Sequence, residues 1–187
     1  MLRLQTIRRD AWVSAAEQQC AYRIALLGDL SHRSGGGTGT HAIDGNEGPF
    51  TEIQAGSYVF MDAEYQEITY EDGRDWPFEN ALFVQTAVTS RNVAGSVTTD
   101  AGTKSFALNG PKPHIVTPGL VGATYEYSGD EHGRVTLAAD MARPQLGQRV
   151  ECLAPHCDPT VVLYDAFHCV RGDVLVEIWP VDARGRR

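Results

Sequence analysis

Apolar positions follow a helical spacing near the start of the chain and a mostly two-residue alternation from about residue 51 onward. Trp12, Ala15, Ala16, Cys20, Ile24 and Leu27 recur three and four positions apart, which predicts a helix over 10–27 that Gly28 stops. The alternation predicts strands at Ile53–Met61, Ala81–Ser90, Lys104–Leu108, Thr124–Tyr127, Arg134–Ala138, Gln148–Leu153, Thr160–Leu163, Ala166–Val170 and Val174–Trp179. Turn-forming runs separate several of them, among them Asn109-Gly110-Pro111, Ser128-Gly129-Asp130 and Arg171-Gly172-Asp173. Many short strands with no helix between them predict a mainly β fold, an antiparallel barrel or sandwich. A helix and a glycine-rich loop ahead of such a body look like the tail of an α/β domain. The expected division is therefore 1–50 and 51–187.

Composition narrows the class. The chain has 187 residues, 42% of them apolar, enough for one buried core. The net charge of -8 is uneven, with five Arg against three acids in residues 1–33 (+2) and eleven basic against twenty-one acidic residues thereafter (-10). An acidic body without a basic stripe repels phosphate backbones, so no nucleic-acid partner is expected. No run approaches the ~18 apolar residues of a membrane span, and no membrane partner is expected. Asp10 and Glu17 interrupt the stretch after the basic first residues, which argues against a secretory signal. Cys20, Cys152, Cys157 and Cys169 form no CxxC pair, and reduced thiols in the cytoplasm are the expectation.

Three clusters could carry chemistry. Gly35-Gly36-Gly37-Thr38-Gly39-Thr40 lets backbone N–H groups converge on an anion, with threonine hydroxyls as further donors; the same residues would also make a linker. It is neither a Walker A loop nor Gly-x-Gly-x-x-Gly. In Pro155-His156-Cys157-Asp158-Pro159-Thr160, Pro159 biases Asp158 toward an extended conformation. An extended run would put His156 and Asp158 on one face and Cys157 on the other, so that an imidazole nitrogen and a carboxylate oxygen could grip one Mn²⁺, Zn²⁺ or Mg²⁺. Two protein ligands leave positions open, which suits catalysis; a strand-end turn with an ordinary histidine uses the same residues. Asp130-Glu131-His132-Gly133 could supply a base or ligand through His132, or form a solvated hairpin loop. The two lysines, Lys104 and Lys112, lie in no recognisable pocket pattern, and structural ion pairs are expected of them.

As an ordered series the segments carry more. Ser-Gly-Gly-Gly-Thr-Gly-Thr at 34–40, Gln-Ala-Gly-Ser-Tyr-Val-Phe-Met-Asp at 54–62, Asp-Ala-Gly-Thr-Lys at 100–104, Asp-Glu-His-Gly at 130–133, Pro-His-Cys-Asp-Pro-Thr-Val at 155–161 and Trp-Pro-Val-Asp-Ala-Arg-Gly at 179–185 occur in that order. The series resembles the C-terminal half of the D-threonine aldolase and D-serine dehydratase-like family, fold-type III, alanine-racemase-like pyridoxal-phosphate enzymes. The resemblance covers roughly residues 34–187. It implies that Gly36, Gly37 and Thr38 hold the cofactor phosphate and that His156 and Asp158 bind the divalent metal, Mn²⁺ or Zn²⁺.

His-x-Asp at 156–158 is similar to D-threonine aldolase and 3-hydroxy-D-aspartate aldolase, whereas His-x-Cys marks the zinc-dependent D-serine dehydratases. The implied activity is retro-aldol cleavage of a β-hydroxy-D-amino acid to glycine and an aldehyde. The alternatives are a D-serine dehydratase relative or a stand-alone metal-binding or interaction domain. The family's Schiff-base lysine sits near the start of its barrel, and neither Lys104 nor Lys112 maps onto it. The catalytic residues are therefore left unassigned apart from His132, and the chain is expected to be inactive alone. The resemblance further implies a homodimer, or pairing with an N-terminal barrel.

Overall fold

A computed structural model describes residues 31–70, 73–182 and 184, which fall into two compact units. The helix expected over 10–27 lies outside the described residues. The first unit takes in the described residues up to Tyr58, together with Tyr70, Gly73 and Arg74. In it β1 (Ser34–Gly35) pairs in parallel with β2 (Glu52–Ile53), and a 3-10 turn at Thr38–Thr40 runs into α1 (His41–Asn46). The predicted strand Ile53–Met61 is thus much shorter: Gly56 breaks the alternation and Ser57–Val59 forms another 3-10 turn.

The second unit comprises residues 59–69 and 75 onward. It begins with α2 (Ala63–Gln66) and continues through β3 (Phe83–Ser90), β4 (Ser96–Thr99), β5 (His114–Ile115), β6 (Thr124–Tyr127), β7 (Gly133–Thr136) and β8 (Arg149–Leu153). After these come α3 (Cys157–Val161), β9 (Ala166–Arg171) and β10 (Val174–Pro180). Six strands form one antiparallel sheet in the order β5-β8-β3-β4-β7-β6. The two edge strands β5 and β6 approach each other, so the sheet is a nearly closed barrel. A separate antiparallel ribbon pairs β9 with β10.

Alternation explains the inside of the barrel. Val84, Thr86 and Val88 of β3 point inward, with Val97 of β4, Tyr125 of β6, Val135 of β7 and Val150 and Cys152 of β8. Phe106 and Leu120, from connecting segments, fill the same core. The Tyr125 ring meets Phe106 edge-on at 5.5 Å, and its hydroxyl lies 2.9 Å from Thr99 Oγ1. Burial pushes the Tyr125 phenol above its ordinary pKa and the Cys152 thiol up to about 12. Gly133 is required here, because a Cβ would stand 2.0 Å from the Tyr125 hydroxyl oxygen.

Two predicted strands are absent. Lys104–Leu108 is a run of turns, and Thr160–Leu163 begins inside α3. Among the described residues no helix is long and apolar enough to cross a membrane.

Candidate functional site

The glycine loop belongs to the first unit. Gly36 adopts a left-handed conformation at φ 72, and a Cβ there would strike the Asp44 carboxylate, so only glycine fits. Gly37 is extended, and the direction in which a Cβ would point is open. Thr38 is buried; its Oγ1 accepts the Tyr58 N–H at 3.1 Å, and its carbonyl lies 2.8 Å from His41 Nδ1. The Thr40 hydroxyl donates to Asp44. The loop is therefore fixed in shape by its neighbours while the space on the Cβ side of Gly37 is open, an arrangement that can accept an anionic group.

The His156 loop belongs to the second unit and follows directly from β8. Pro155–Thr160 does not continue as a strand: His156 is the residue at which the chain turns into α3. Asp158 is therefore helical rather than extended, against the expectation from Pro159. Proline lacks an N–H, but the first helical turn has no intrahelical acceptor for one, so Pro159 is accommodated there. The Asp158 carboxylate in that turn also faces the positive end of the helix dipole.

His156 and Asp158 are brought together even so. His156 Nε2 stands 3.7 Å from Asp158 Oδ2. A divalent ion reaches imidazole nitrogen and carboxylate oxygen at about 2.0–2.2 Å, so one ion can touch both. Cys157 points away into the core, as an alternating pattern would also have it, although its thiol still donates to Asp158 Oδ1 at 3.4 Å. On the other edge of the imidazole, Nδ1 lies 3.4 Å from Glu64 Oε2 and 2.6 Å from Asn109 Nδ2. Glu64 Oε2 is buried and has no hydrogen-bond partner. Among the described residues no group of three or more His, Cys, Asp or Glu side chains converges to hold a metal by itself. The donor set fits a cation with two protein ligands and open positions.

Hydrogen bonds between two helix starts fix this loop. The N–H groups of Ala63 and Glu64, unpaired within α2, donate to the carbonyls of Ala154 and Pro155 at 3.0 and 3.1 Å. In return the fully buried Asp62 accepts the Tyr65 N–H on Oδ1 at 3.0 Å and the Cys157 N–H on Oδ2 at 2.8 Å. Met61, buried at φ 51, turns the chain so that Asp62 faces inward. Thr160 Oγ1 donates to the His156 carbonyl at 2.7 Å and accepts the Ala107 N–H at 3.0 Å.

The remaining sequence candidates lie apart from these contacts. His132 occupies the exposed turn between β6 and β7, where its carbonyl accepts the Ser128 N–H. Lys104 is exposed and paired with Glu131, whose hydrogen bond and charge raise the lysine pKa. Lys112 is half-exposed, lies 3.9 Å from Glu126 and covers the Tyr127 ring at 4.4 Å. Neither is the desolvated amine that a covalent cofactor link needs. Sequence reasoning missed Asp62, Glu64 and Asn109. The acidic residue opening Asp62-Ala63-Glu64-Tyr65 is a helix-start signal, and Asn109 was legible only as a turn residue.

A family model described as "Putative serine dehydratase domain" matches residues 81–170. The D-threonine aldolase of Arthrobacter sp is 36% identical over 188 residues, covering 98% of this chain and 47% of that protein. The 3-hydroxy-D-aspartate aldolase of Paracoccus denitrificans (strain Pd 1222) is 35% identical over 158 residues, 82% of this chain and 39% of that protein. The crystal structure of D-threonine aldolase from Filomicrobium marinum matches with a TM-score of 0.84 at 38% identity, covering 95% of this chain and 49% of that one. The chain spans about half the length, or less, of the curated relatives it matches. It belongs to the D-threonine aldolase and D-serine dehydratase-like family, matching the C-terminal portion of those relatives.

Proposed function

We propose that this chain is the metal-holding C-terminal part of a D-amino-acid lyase of the D-threonine aldolase type, which cleaves a β-hydroxy-D-amino acid into glycine and an aldehyde. The observation that carries the reading is the 3.7 Å approach of His156 Nε2 and Asp158 Oδ2 on a loop fixed from beneath by buried Asp62. A divalent ion held there, Mn²⁺ or Zn²⁺, would supply Lewis acidity toward the substrate hydroxyl. Pyridoxal phosphate, when bound, supplies the sink for the Cα–Cβ electrons. Gly36, Gly37 and Thr38 are the residues we assign to its phosphate; the open side of Gly37 supports this.

The chain's own residues then do three things. His156 and Asp158 would hold the ion beside the substrate hydroxyl, Asp62 and Thr160 keep their loop from moving, and the Gly36–Gly37 backbone would receive an anion. Because Lys104 and Lys112 are exposed and engaged with carboxylates, the 187-residue polypeptide alone has no lyase turnover. The active form is a cytoplasmic homodimer, or an assembly with the family's barrel. The β9–β10 ribbon, whose Val170, Val174, Leu175, Ile178 and Trp179 are all more than half exposed, supports such a cover.

The test is a Mn²⁺ and Zn²⁺ titration of the chain by calorimetry, wild type against His156→Ala/Asp158→Ala. Binding to the wild type that disappears in the double variant is expected; equal binding by both overturns the assignment. A second reading, a D-serine dehydratase, is favoured by the family model over 81–170. Deamination of D-serine in preference to cleavage of D-threonine by the whole enzyme would select it.

A further inference from the structure

We infer that Glu64 is the positioning residue of the His156–Asp158 pair, holding a proton on His156 Nδ1 so that Nε2 keeps its lone pair toward Asp158. The inference rests on the metal reading above for its consequence, but not for its geometry. Three facts carry it. Glu64 Oε2 is a buried carboxylate oxygen with no hydrogen-bond partner, although the rest of the side chain is partly exposed. His156 Nδ1, which can carry a hydrogen, stands 3.4 Å from it. And the two carboxylates lie against opposite ring nitrogens, Glu64 at Nδ1 and Asp158 at Nε2.

Asn109 competes for the same nitrogen, since its side-chain amide stands 2.6 Å from Nδ1. With the amide NH₂ toward the ring, Nδ1 must accept, the proton moves to Nε2, and the edge facing Asp158 becomes a donor. That arrangement closes the cation site and leaves Glu64 Oε2 buried without a donor. With the amide oxygen toward the ring instead, Nδ1 carries the proton, and Asn109 and Glu64 both face it as acceptors. Oxygen and nitrogen of an amide are assigned from their surroundings, and the unpartnered carboxylate decides them here. A carboxylate behind a metal-ligating histidine fixes both tautomer and ring direction, and its loss typically costs 10–100-fold in metal affinity.

Glu64 is placed for this by the backbone. Its N–H donates to the Pro155 carbonyl, one residue before His156, so carboxylate and imidazole are carried on segments joined at 3.1 Å. Gly110 lies beside Glu64 at φ 90, a left-handed conformation that favours glycine.

The experiment compares wild type, Glu64→Gln and Glu64→Asp, as the full chain. Long-range ¹H–¹⁵N spectra of the metal-free protein read the His156 tautomer directly, with His156→Gln assigning the signal. The Nδ1–H form is expected in wild type, its loss in Glu64→Gln, and its return in Glu64→Asp. The Nε2–H form in wild type, or a tautomer unchanged in Glu64→Gln, overturns the inference whether or not the chain binds metal. Mn²⁺ titration followed by electron paramagnetic resonance is then expected to show at least tenfold weaker binding in Glu64→Gln. Equal Mn²⁺ affinity in wild type and Glu64→Gln removes Glu64 from the site while leaving His156 and Asp158 in it. No Mn²⁺ binding by wild type with the expected tautomers refutes the metal reading and not the role of Glu64.

Discussion

Replacing Asp62 tests whether the His156 loop is held from beneath. The carboxylate is fully buried and serves two backbone donors, the Tyr65 N–H at 3.0 Å and the Cys157 N–H at 2.8 Å. Asp62→Ala leaves both without an acceptor. Loss of the cap on α2 costs about 1 kcal/mol, and loss of the charge-assisted bond to Cys157 a further ~1.5–3 kcal/mol. The total is about 3 kcal/mol, or a fall of roughly 10 °C in Tm for a unit of this size. Asp62→Asn keeps an oxygen for Tyr65 but turns a neutral amide toward Cys157, so about half the loss is expected. Urea unfolding followed by circular dichroism measures the order wild type, Asn, Ala, and Mn²⁺ affinity should fall in the same order. An alanine variant within about 0.5 kcal/mol of wild type, the range of an ordinary surface change, would refute the reasoning.

Two further outcomes follow from the barrel. Gly133→Ala forces a methyl group against the Tyr125 hydroxyl and, at 2.6 Å, the Ala101 carbonyl; a loss of about 3 kcal/mol is expected in the same urea assay. The Cys152 thiol titrates at about 12 in the fold against an ordinary 9.0. Below about pH 9 the thiol is neutral in both states and contributes no pH dependence; above it the unfolded chain releases a proton that the folded one retains. Stability therefore falls by up to ~1.4 kcal/mol per pH unit from there, and urea midpoints of Cys152→Ala between about pH 8 and pH 10 should fall less steeply than those of wild type.

Period-two patterning located the strands that face one core and misplaced those governed by other forces. Thr124–Tyr127 has the predicted bounds, and β3, β7 and β8 differ from prediction by one or two residues at one or both ends, because Val84, Tyr125, Val135 and Val150 alternate with polar neighbours; β9 and β10 lie within one residue of prediction but form a separate, largely exposed ribbon. Ser96–Thr99 gave no such signal: Ser96, Val97 and Thr99 are all buried, and threonine and serine hide an inward face in a polar pattern. Thr160–Leu163 looked like a strand on β-branched residues, yet Thr160 is helical and buried, its hydroxyl bridging His156 and Ala107. At the candidate site the pair His156 and Asp158 was legible from spacing, but the reason they meet was not. An extended strand and the first turn of a helix both bring residues i and i+2 within reach here. What selects the helix is Asp62, ninety-five positions away from Cys157 in sequence, and no local pattern reports a partner that distant.

The same geometry sets what this chain can do by itself. Its two proposed ligands are unequally sheltered: His156 is 23% exposed and Asp158 68%. A cation between them would sit in water on one side, where a carboxylate gives a small fraction of the attraction it would exert in a dry cleft. Polarising a substrate hydroxyl strongly requires the dry cleft. The described residues would therefore provide part of such a site: a proposed ligand pair on a loop tied by Asp62 and Thr160. In the proposed reading, exclusion of water would come from whatever covers that loop. Weak metal binding by the chain alone, sharpened when the loop is covered, is the consequence. Tight binding by the chain alone would mean that Glu64 or Asn109 completes the coordination and that the two-ligand description is wrong.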